Sequence, residues 1–345
     1  MNLAIFKTNY LGDNVVFLPT VQELRRRYPQ WRLTLITSPA DAPLYAHAIP
    51  AEDLFCIAPL ALKRLWRSPL AFARWYQTLR RRRFAGSLVS YDQPSTAHAL
   101  ARLTGGPIRA GADGLRIRVR GALTHTVGCQ PGWSIAQWNW EITRAFVTAL
   151  GGTDWPATPP PPDLSHLADS LARRPSRVVL HAGSKWEFKR WPLERFTELA
   201  GRLARDHEVI WIDAPDTCAA LLPPNVARIA TPDLRALVSV LASASLYVGN
   251  NSGPMHVANA LGTPMVVVTG PSDTTWDPAW YRDRAKVLRL PDLACQPCEG
   301  IHFLPEGCTN FADPRACLLR WSVDTVETIC RAHLAAQRTR LAAAP

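Results

Sequence analysis

A chain of 345 residues is longer than one hydrophobic core usually serves, so two domains are expected. No run of about 18 uninterrupted apolar residues occurs, which excludes a membrane-spanning helix, and residues 1–18 lack the basic leader, apolar core and small-residue cleavage site of an export signal, which makes the cytoplasm the expected location. The formal charge of +11 is unevenly placed: residues 1–150 carry 19 Lys and Arg against 8 Asp and Glu, and the remainder carries 20 against 20, so either the first half meets an acidic partner (nucleic acid, anionic lipid or phosphorylated sugar) or its arginines are simply solvated.

Residues 2–7 form a short apolar run and predict a strand. Residues 8–14, Thr-Asn-Tyr-Leu-Gly-Asp-Asn, read as a turn. Residues 15–28 have helical periodicity and end on Arg25, Arg26 and Arg27, which suit the negative end of a helix dipole. Another strand is predicted at 32–37. This alternation points to a doubly wound α/β sheet, whose strands carry ligands at their carboxyl ends. Asp13 falls there, either as a site residue or as an ordinary acid at a helix start. Residues 60–83 are amphipathic: Lys63, Arg64, Arg67, Arg74 and the four arginines 80–83 interleave with Leu65, Trp66, Leu70, Phe72, Trp75 and Tyr76. Such a segment either lies on an anionic membrane surface or turns its aromatic face inward as a solvated helix. Arg102, Arg109, Arg116, Arg118 and Arg120 add charge, and together these suggest a cleft for an anionic acceptor.

Residues 155–162, Trp-Pro-Ala-Thr-Pro-Pro-Pro-Pro, suit neither helix nor strand. They suggest domains at 1–155 and 176–345 with a linker at 156–175. The pattern then restarts with a strand at 177–182, a helix from Pro192 to 203, and strands at 208–212, 246–248, 265–269 and 286–290. Residues 246–270 read as one βαβ unit. Ser252 can cap its helix, Gly253 permits close backbone approach, and Pro254 near the first turn gives up no needed donor. That turn is either an anion site or an ordinary capped helix start. Neither Gly-x-Gly-x-x-Gly after a strand nor Gly-x-x-x-x-Gly-Lys-[Ser/Thr] is present, so dehydrogenases and P-loop enzymes are poorly supported. Of eight cysteines, Cys56, Cys129, Cys218 and Cys330 are scattered and read as buried thiols. Cys295, Cys298, Cys308 and Cys317 cluster in a loop-rich stretch, as reduced thiols or as metal ligands. Residues 322–341 predict a final helix.

Three separated motifs resemble the ADP-heptose:lipopolysaccharide heptosyltransferases of glycosyltransferase family nine: Leu11-Gly12-Asp13, His181-Ala-Gly-Ser184 with Lys189-Arg-Trp-Pro192, and Asn251-Ser-Gly-Pro-Met-His256 with Gly262-Thr-Pro264. They stand in the family's order across nearly the whole chain. The resemblance implies a GT-B architecture, two Rossmann-like doubly wound domains facing across a cleft. It implies an inverting transfer of heptose from ADP-heptose to an anionic lipopolysaccharide inner-core acceptor, needing no metal for catalysis, with the last helix returning toward the first domain. Under it Asp13 is the base and Lys189 the phosphate-binding cation. Ser184, Lys185, Lys189, Asn251, Ser252, Gly253 and His256 bind the donor; Thr8, Gly12, Arg64, Arg67, Arg118 and Arg120 bind the acceptor. Some relatives use four cysteines to hold iron, so a structural zinc or iron at Cys295, Cys298, Cys308 and Cys317 is a further implication. Peripheral contact with the inner membrane is expected, and nucleic acid is not. One departure stands out: Asn251-Ser252-Gly253 replaces the family's frequent Asp-Thr-Gly, which weakens the inference about the donor sugar. The competing expectations are the same fold acting on a protein or another glycan, and a basic binding protein without catalysis.

Overall fold

Two parallel sheets are built around central strands of short apolar runs buried on both faces, with more exposed strands toward their edges. A computed structural model describes residues 1–91, 93–113, 119–168, 170–213, 221–300 and 307–342, with side chains of the last helix described as far as residue 336. The chain divides into two compact units, Met1–Pro162 and Asp163–Pro345. Among the described residues no helix is long and apolar enough to cross a membrane.

The first unit runs β1 (Asn2–Lys7), α1 (Leu11–Arg27), β2 (Arg32–Thr37), α2 (Ala42–Tyr45), β3 (Leu54–Cys56), α3 (Pro59–Arg64), α4 (Pro69–Arg80), β4 (Gly86–Val89), α5 (Ser95–Thr104), β5 (Ile108–Ala112), β6 (His125–Val127) and α6 (Ile135–Ala149). Its strand order is β3-β2-β1-β4-β5-β6, all parallel, which is the doubly wound order with its switch point between β1 and β4. β1 pairs with β2 from Asn2↔Arg32 to Lys7↔Thr37, so their carboxyl ends are level.

Two expectations need correction here. The turn predicted over 8–14 is only three residues long, because α1 begins at Leu11 and takes Gly12, Asp13 and Asn14 into its first turn. The polar residues that suggested a turn are satisfied within the helix start: Asn14 Nδ2 donates to the Asn9 and Tyr10 carbonyls at 3.0 and 3.1 Å. The amphipathic segment 60–83 is not one helix. Pro69 has no N–H to continue α3, and Ser68 Oγ instead accepts from the Ala71 amide at 3.4 Å, starting α4 afresh. Leu62, Leu65 and Leu79 turn into the core with Phe72 and Trp75 packed beside them. At the end of this unit Trp155 packs against Trp140, the rings tilted by 40° with centroids 4.5 Å apart, and the Pro156 carbonyl accepts from Trp140 Nε1 at 2.6 Å, fixing residues 155–157 along α6.

The second unit runs β7 (Arg177–His181), α7 (Leu193–Leu203), β8 (Glu208–Ile212), β9 (Val226–Ile229), α8 (Leu234–Ala242), β10 (Leu246–Asn250), α9 (Gly253–Ala260), β11 (Met265–Val268), β12 (Ala285–Leu288), α10 (Ala316–Leu319) and α11 (Val323–Ala342). The strand order β12-β11-β10-β7-β8-β9 repeats the doubly wound pattern. Its core joins Val178, Leu180, Val248, Val266 and Val268 to Phe196, Leu199 and Leu203 of α7. Val326, Cys330 and Leu334 of α11 complete it, so the last helix is an integral layer of this unit.

Candidate functional site

In a doubly wound sheet the loops that leave the strand ends at the switch point bear the ligand. In the second unit these follow β7 and β10. β10 ends on Asn250, which is fully buried. Its Nδ2 donates to the Ala182 carbonyl at 2.7 Å, and its Oδ1 accepts from the Trp191 amide at 2.9 Å. One amide side chain therefore closes both ends of the loop after β7. Arg190 Nε donates to the Ser184 carbonyl at 2.8 Å and Arg315 Nη2 to the Arg190 carbonyl at 2.6 Å, so the loop is braced from inside and from α10's side. Ser184 is buried at its start.

The braced loop presents Lys189 from a short 3-10 turn, Glu187–Lys189. Lys189 Nζ lies 2.6 Å from Glu299 Oε1 and 2.5 Å from Oε2. Glu299 is itself buried, its amide donating to the Pro271 carbonyl at 2.9 Å. Sequence reasoning missed both Asn250 and Glu299. Lys185, by contrast, is exposed and stands over the Trp186 ring at 4.7 Å, turned to the surface beside the braced loop.

β10 leads directly into α9. Ser252 occupies the N-cap position in extended backbone, but it makes no side-chain cap hydrogen bond, contrary to expectation. Its hydroxyl lies beside that of Tyr247, whose proton burial holds firmly in place. Asn251 Nδ2 donates to the Trp276 carbonyl at 3.2 Å. Asn259 fastens the same loop further along, accepting from the Trp280 amide at 3.0 Å. His256 is buried on the first turns of α9, its Nδ1 finding no hydrogen-bond partner among the described residues and its ring 6.5 Å from that of Trp276. Burial, and secondly the Lys189 charge, push its pKa down to about 4. It is therefore neutral at physiological pH and can donate one hydrogen bond and accept another. Lys189, neutral His256 and the amino end of α9 thus meet at one strand edge. A helix start whose first amides have no helical partner, with a cation beside it, favours a phosphate group.

In the first unit Asp13 lies half-buried in the first turn of α1, where Gly12 and Thr8 are buried beside it. Thr8 donates twice to Gln93 Oε1, from N at 3.1 Å and from Oγ1 at 2.9 Å, linking the loops after β1 and β4. Asp41 is buried nearby, its pKa raised to about 6 by burial first and by Asp13 as well, against Ser38 and Lys7. Arg64 ends α3 and Arg67 lies over the Trp66 ring at 5.4 Å, both exposed; Arg120 is exposed and its carbonyl accepts from Arg102. Arg118 and Arg116 lie outside the described residues, as does Cys218.

The four clustered cysteines are half-buried and none is in a disulfide. Burial pushes the Cys317 thiol up to about 12, and Cys298, Cys308 and Cys295 add to the shift, so the four share a neighbourhood. Among the described residues, however, no three His, Cys, Asp or Glu side chains are grouped so as to hold a metal ion. Cys308 Sγ accepts from the Arg315 amide at 3.1 Å.

Residues 73–304 match the sequence model of glycosyltransferase family 9 (heptosyltransferase). Lipopolysaccharide heptosyltransferase 1 of Pseudomonas aeruginosa is 28% identical over 90% of this chain and 88% of its own length. The solved E. coli ADP-heptose LPS heptosyltransferase II covers 98% of this chain and 100% of its own at a TM-score of 0.70 and 20% identity. E. coli heptosyltransferase WaaC, solved with ADP-2-deoxy-2-fluoro heptose, covers 96% and 99% at 0.67 and 19%. These likenesses establish the GT-B fold. With a match across most of its length, this chain belongs to glycosyltransferase family 9, the heptosyltransferases, and is a glycosyltransferase.

Proposed function

We propose that the enzyme moves heptose, with inversion, from ADP-heptose to an anionic acceptor in the lipopolysaccharide inner core. The observation that carries this reading is the meeting of Lys189 and neutral His256 at the start of α9. The diphosphate is read onto the amides of that helix start and onto Lys189, with Ser184, Asn251, Ser252 and Gly253 around it. Lys185 belongs at the rim. The acceptor is assigned to the first unit, with Thr8, Gly12, Arg64, Arg67 and Arg120 named for it. Asp13 takes the proton of the acceptor hydroxyl as its oxygen attacks the anomeric carbon, the bond from that carbon to the phosphate oxygen breaks, and ADP departs with its charge balanced by Lys189. The transfer as proposed needs no metal. Family membership removes the basic, non-catalytic binding protein from consideration. Calorimetry decides the donor: ADP-heptose is expected to bind more tightly than ADP, UDP or other sugar nucleotides. A preference for another nucleotide would sink the donor assignment and make Asn251 the mark of a changed sugar.

The enzyme is proposed to be cytoplasmic and to touch the inner membrane through the outer faces of α3 and α4. Residues 54–91 contain eight Lys and Arg and no Asp or Glu. Leu60, Trp66 and Leu70 project there with 55%, 65% and 77% of their surface exposed, while the opposite faces are buried. A basic surface with a few protruding apolar side chains matches an anionic bilayer interface. The protein is expected to sediment with phosphatidylglycerol vesicles but not with phosphatidylcholine alone. At about 1 kcal/mol for each basic side chain near the surface, Lys63→Glu with Arg74→Glu should weaken vesicle binding at least tenfold. Equal binding to both vesicles would remove the membrane surface from the proposal.

A further inference from the structure

We propose that Asp41, acting through Asn14, is the positioning residue for Asp13. The inference rests on the reading of Asp13 as the base, and it begins from a side chain next to it in sequence. Asn14 is fully buried. Its Nδ2 donates to the Asn9 carbonyl at 3.0 Å, the Tyr10 carbonyl at 3.1 Å and Asp41 Oδ2 at 3.0 Å, while its Oδ1 accepts from the Tyr45 hydroxyl at 2.9 Å. One amide therefore ties the loop after β1, the first turn of α1 and the segment after β2 into a single body. Asp13 is carried on that turn.

Asp41 is the anchor of this body on the β2 side. Its Oδ2 also accepts from Ser38 Oγ at 2.5 Å, and its own amide donates to Ser38 Oγ at 3.2 Å. Asp41 stands at the N-cap position of α2 yet makes no side-chain cap bond to it, so capping does not account for a carboxylate there. A neutral side chain would avoid the cost of burying charge. What the carboxylate does instead is hold Asn14 and place negative charge near Asp13.

The groups facing Asp41 are Lys7 of β1, Asp13 of α1 and Tyr45 of α2. Burial, Asp41 and Asp13 all keep the Tyr45 proton in place, so Tyr45 stays a neutral donor. Burial raises the pKa of Asp41 most, the Ser38 hydrogen bond lowers it, Asp13 raises it and Lys7 lowers it, which together bring it to about 6. Two carboxylates at this range disfavour each other's charge. An ionised Asp41 thus makes Asp13 a stronger base, and this help is lost as pH falls through about 6.

The test uses ADP-heptose and heptose-free inner-core lipopolysaccharide with the full-length enzyme. Asp41→Ala is expected to lower kcat roughly 10- to 100-fold, since a slackened turn misplaces the base, and to leave the donor KM unchanged. Asp41→Asn restores an acceptor for Asn14 without the charge. It is expected to recover kcat to within a few-fold of wild type and to move the acidic limb of kcat/KM to lower pH. Wild-type kcat in Asp41→Ala, or a pH profile for Asp41→Asn that superimposes on wild type, would overturn the proposal. A carboxyl NMR titration without substrate separates this from the base assignment. In Asp13→Asn, Asp41 should titrate below its wild-type value, and an unchanged titration would refute the coupling. Retained turnover in Asp13→Ala would refute the base reading by itself.

Discussion

Asp13→Ala is expected to lower kcat by about three orders of magnitude while ADP-heptose affinity changes less than about twofold, in line with the 10²- to 10⁴-fold that a positioned base contributes. The two halves of this expectation have different origins. The residues proposed to hold the donor all belong to the second unit, Asp163–Pro345, whereas Asp13 belongs to the first, so the substitution removes none of them. The proposed transfer loses its proton acceptor. A carboxylate is a weak base for a sugar hydroxyl, so its effect lies in being placed where the proton leaves late in the transfer. That placement comes from the first turn of α1 and the Asn14 amide. Asp13→Asn keeps the shape and removes the basicity, and it should be nearly as slow as the alanine variant. Single-turnover rates with saturating donor make the comparison. Turnover within threefold of wild type in both variants would show that another group takes the proton.

Much of this fold was legible because parallel strands buried on both faces are continuous apolar runs: 2–7, 32–37, 177–182 and 265–269 could be read directly. The strands at β5 (Ile-Arg-Ala-Gly-Ala) and β6 (His-Thr-Val) were not, since near the sheet's edge polar residues and short lengths suffice. The start of α1 was misplaced for a related reason. Asn and Asp favour turns when their side chains bond locally; Asn14 does bond locally, to the Asn9 and Tyr10 carbonyls, but from inside the helix, and its further partner Asp41 is 27 residues away. The motifs drew attention to Lys189 and His256, which the structure brings close together. Asn250 was not legible, although it sits beside the residue that was chosen, because its partners Ala182 and Trp191 lie 68 and 59 residues away. Glu299, 110 residues from Lys189, sits in a stretch whose cysteines drew the inference toward metal.

Glu299 changes what Lys189→Ala must do. Truncating one partner of a buried, hydrogen-bonded charge pair costs about 2–5 kcal/mol, much of it from the charge left behind. Here the partner left behind is a carboxylate beside the place proposed for a diphosphate. Lys189→Ala should therefore weaken ADP binding about 10²- to 10³-fold by calorimetry, through the lost cation and the exposed repulsion together. Glu299→Gln removes the neutralising charge while leaving an oxygen to accept from Lys189 Nζ, so ADP should bind a few-fold more tightly than to wild type. The double variant should recover roughly tenfold over Lys189→Ala, because the unpaired carboxylate is gone. Non-additivity of this sign distinguishes a cation shared between Glu299 and phosphate from one committed to either. If Glu299→Gln binds ADP as wild type does and the double variant matches Lys189→Ala, then Lys189 serves to fasten residues 187–189 to Glu299, and the phosphate charge must be met elsewhere on the α9 start. His256 supplies an internal check on the same cycle. Its low pKa comes first from burial and only secondly from Lys189, so it should rise in Lys189→Ala yet stay below the ordinary histidine value, leaving the ring neutral at pH 7.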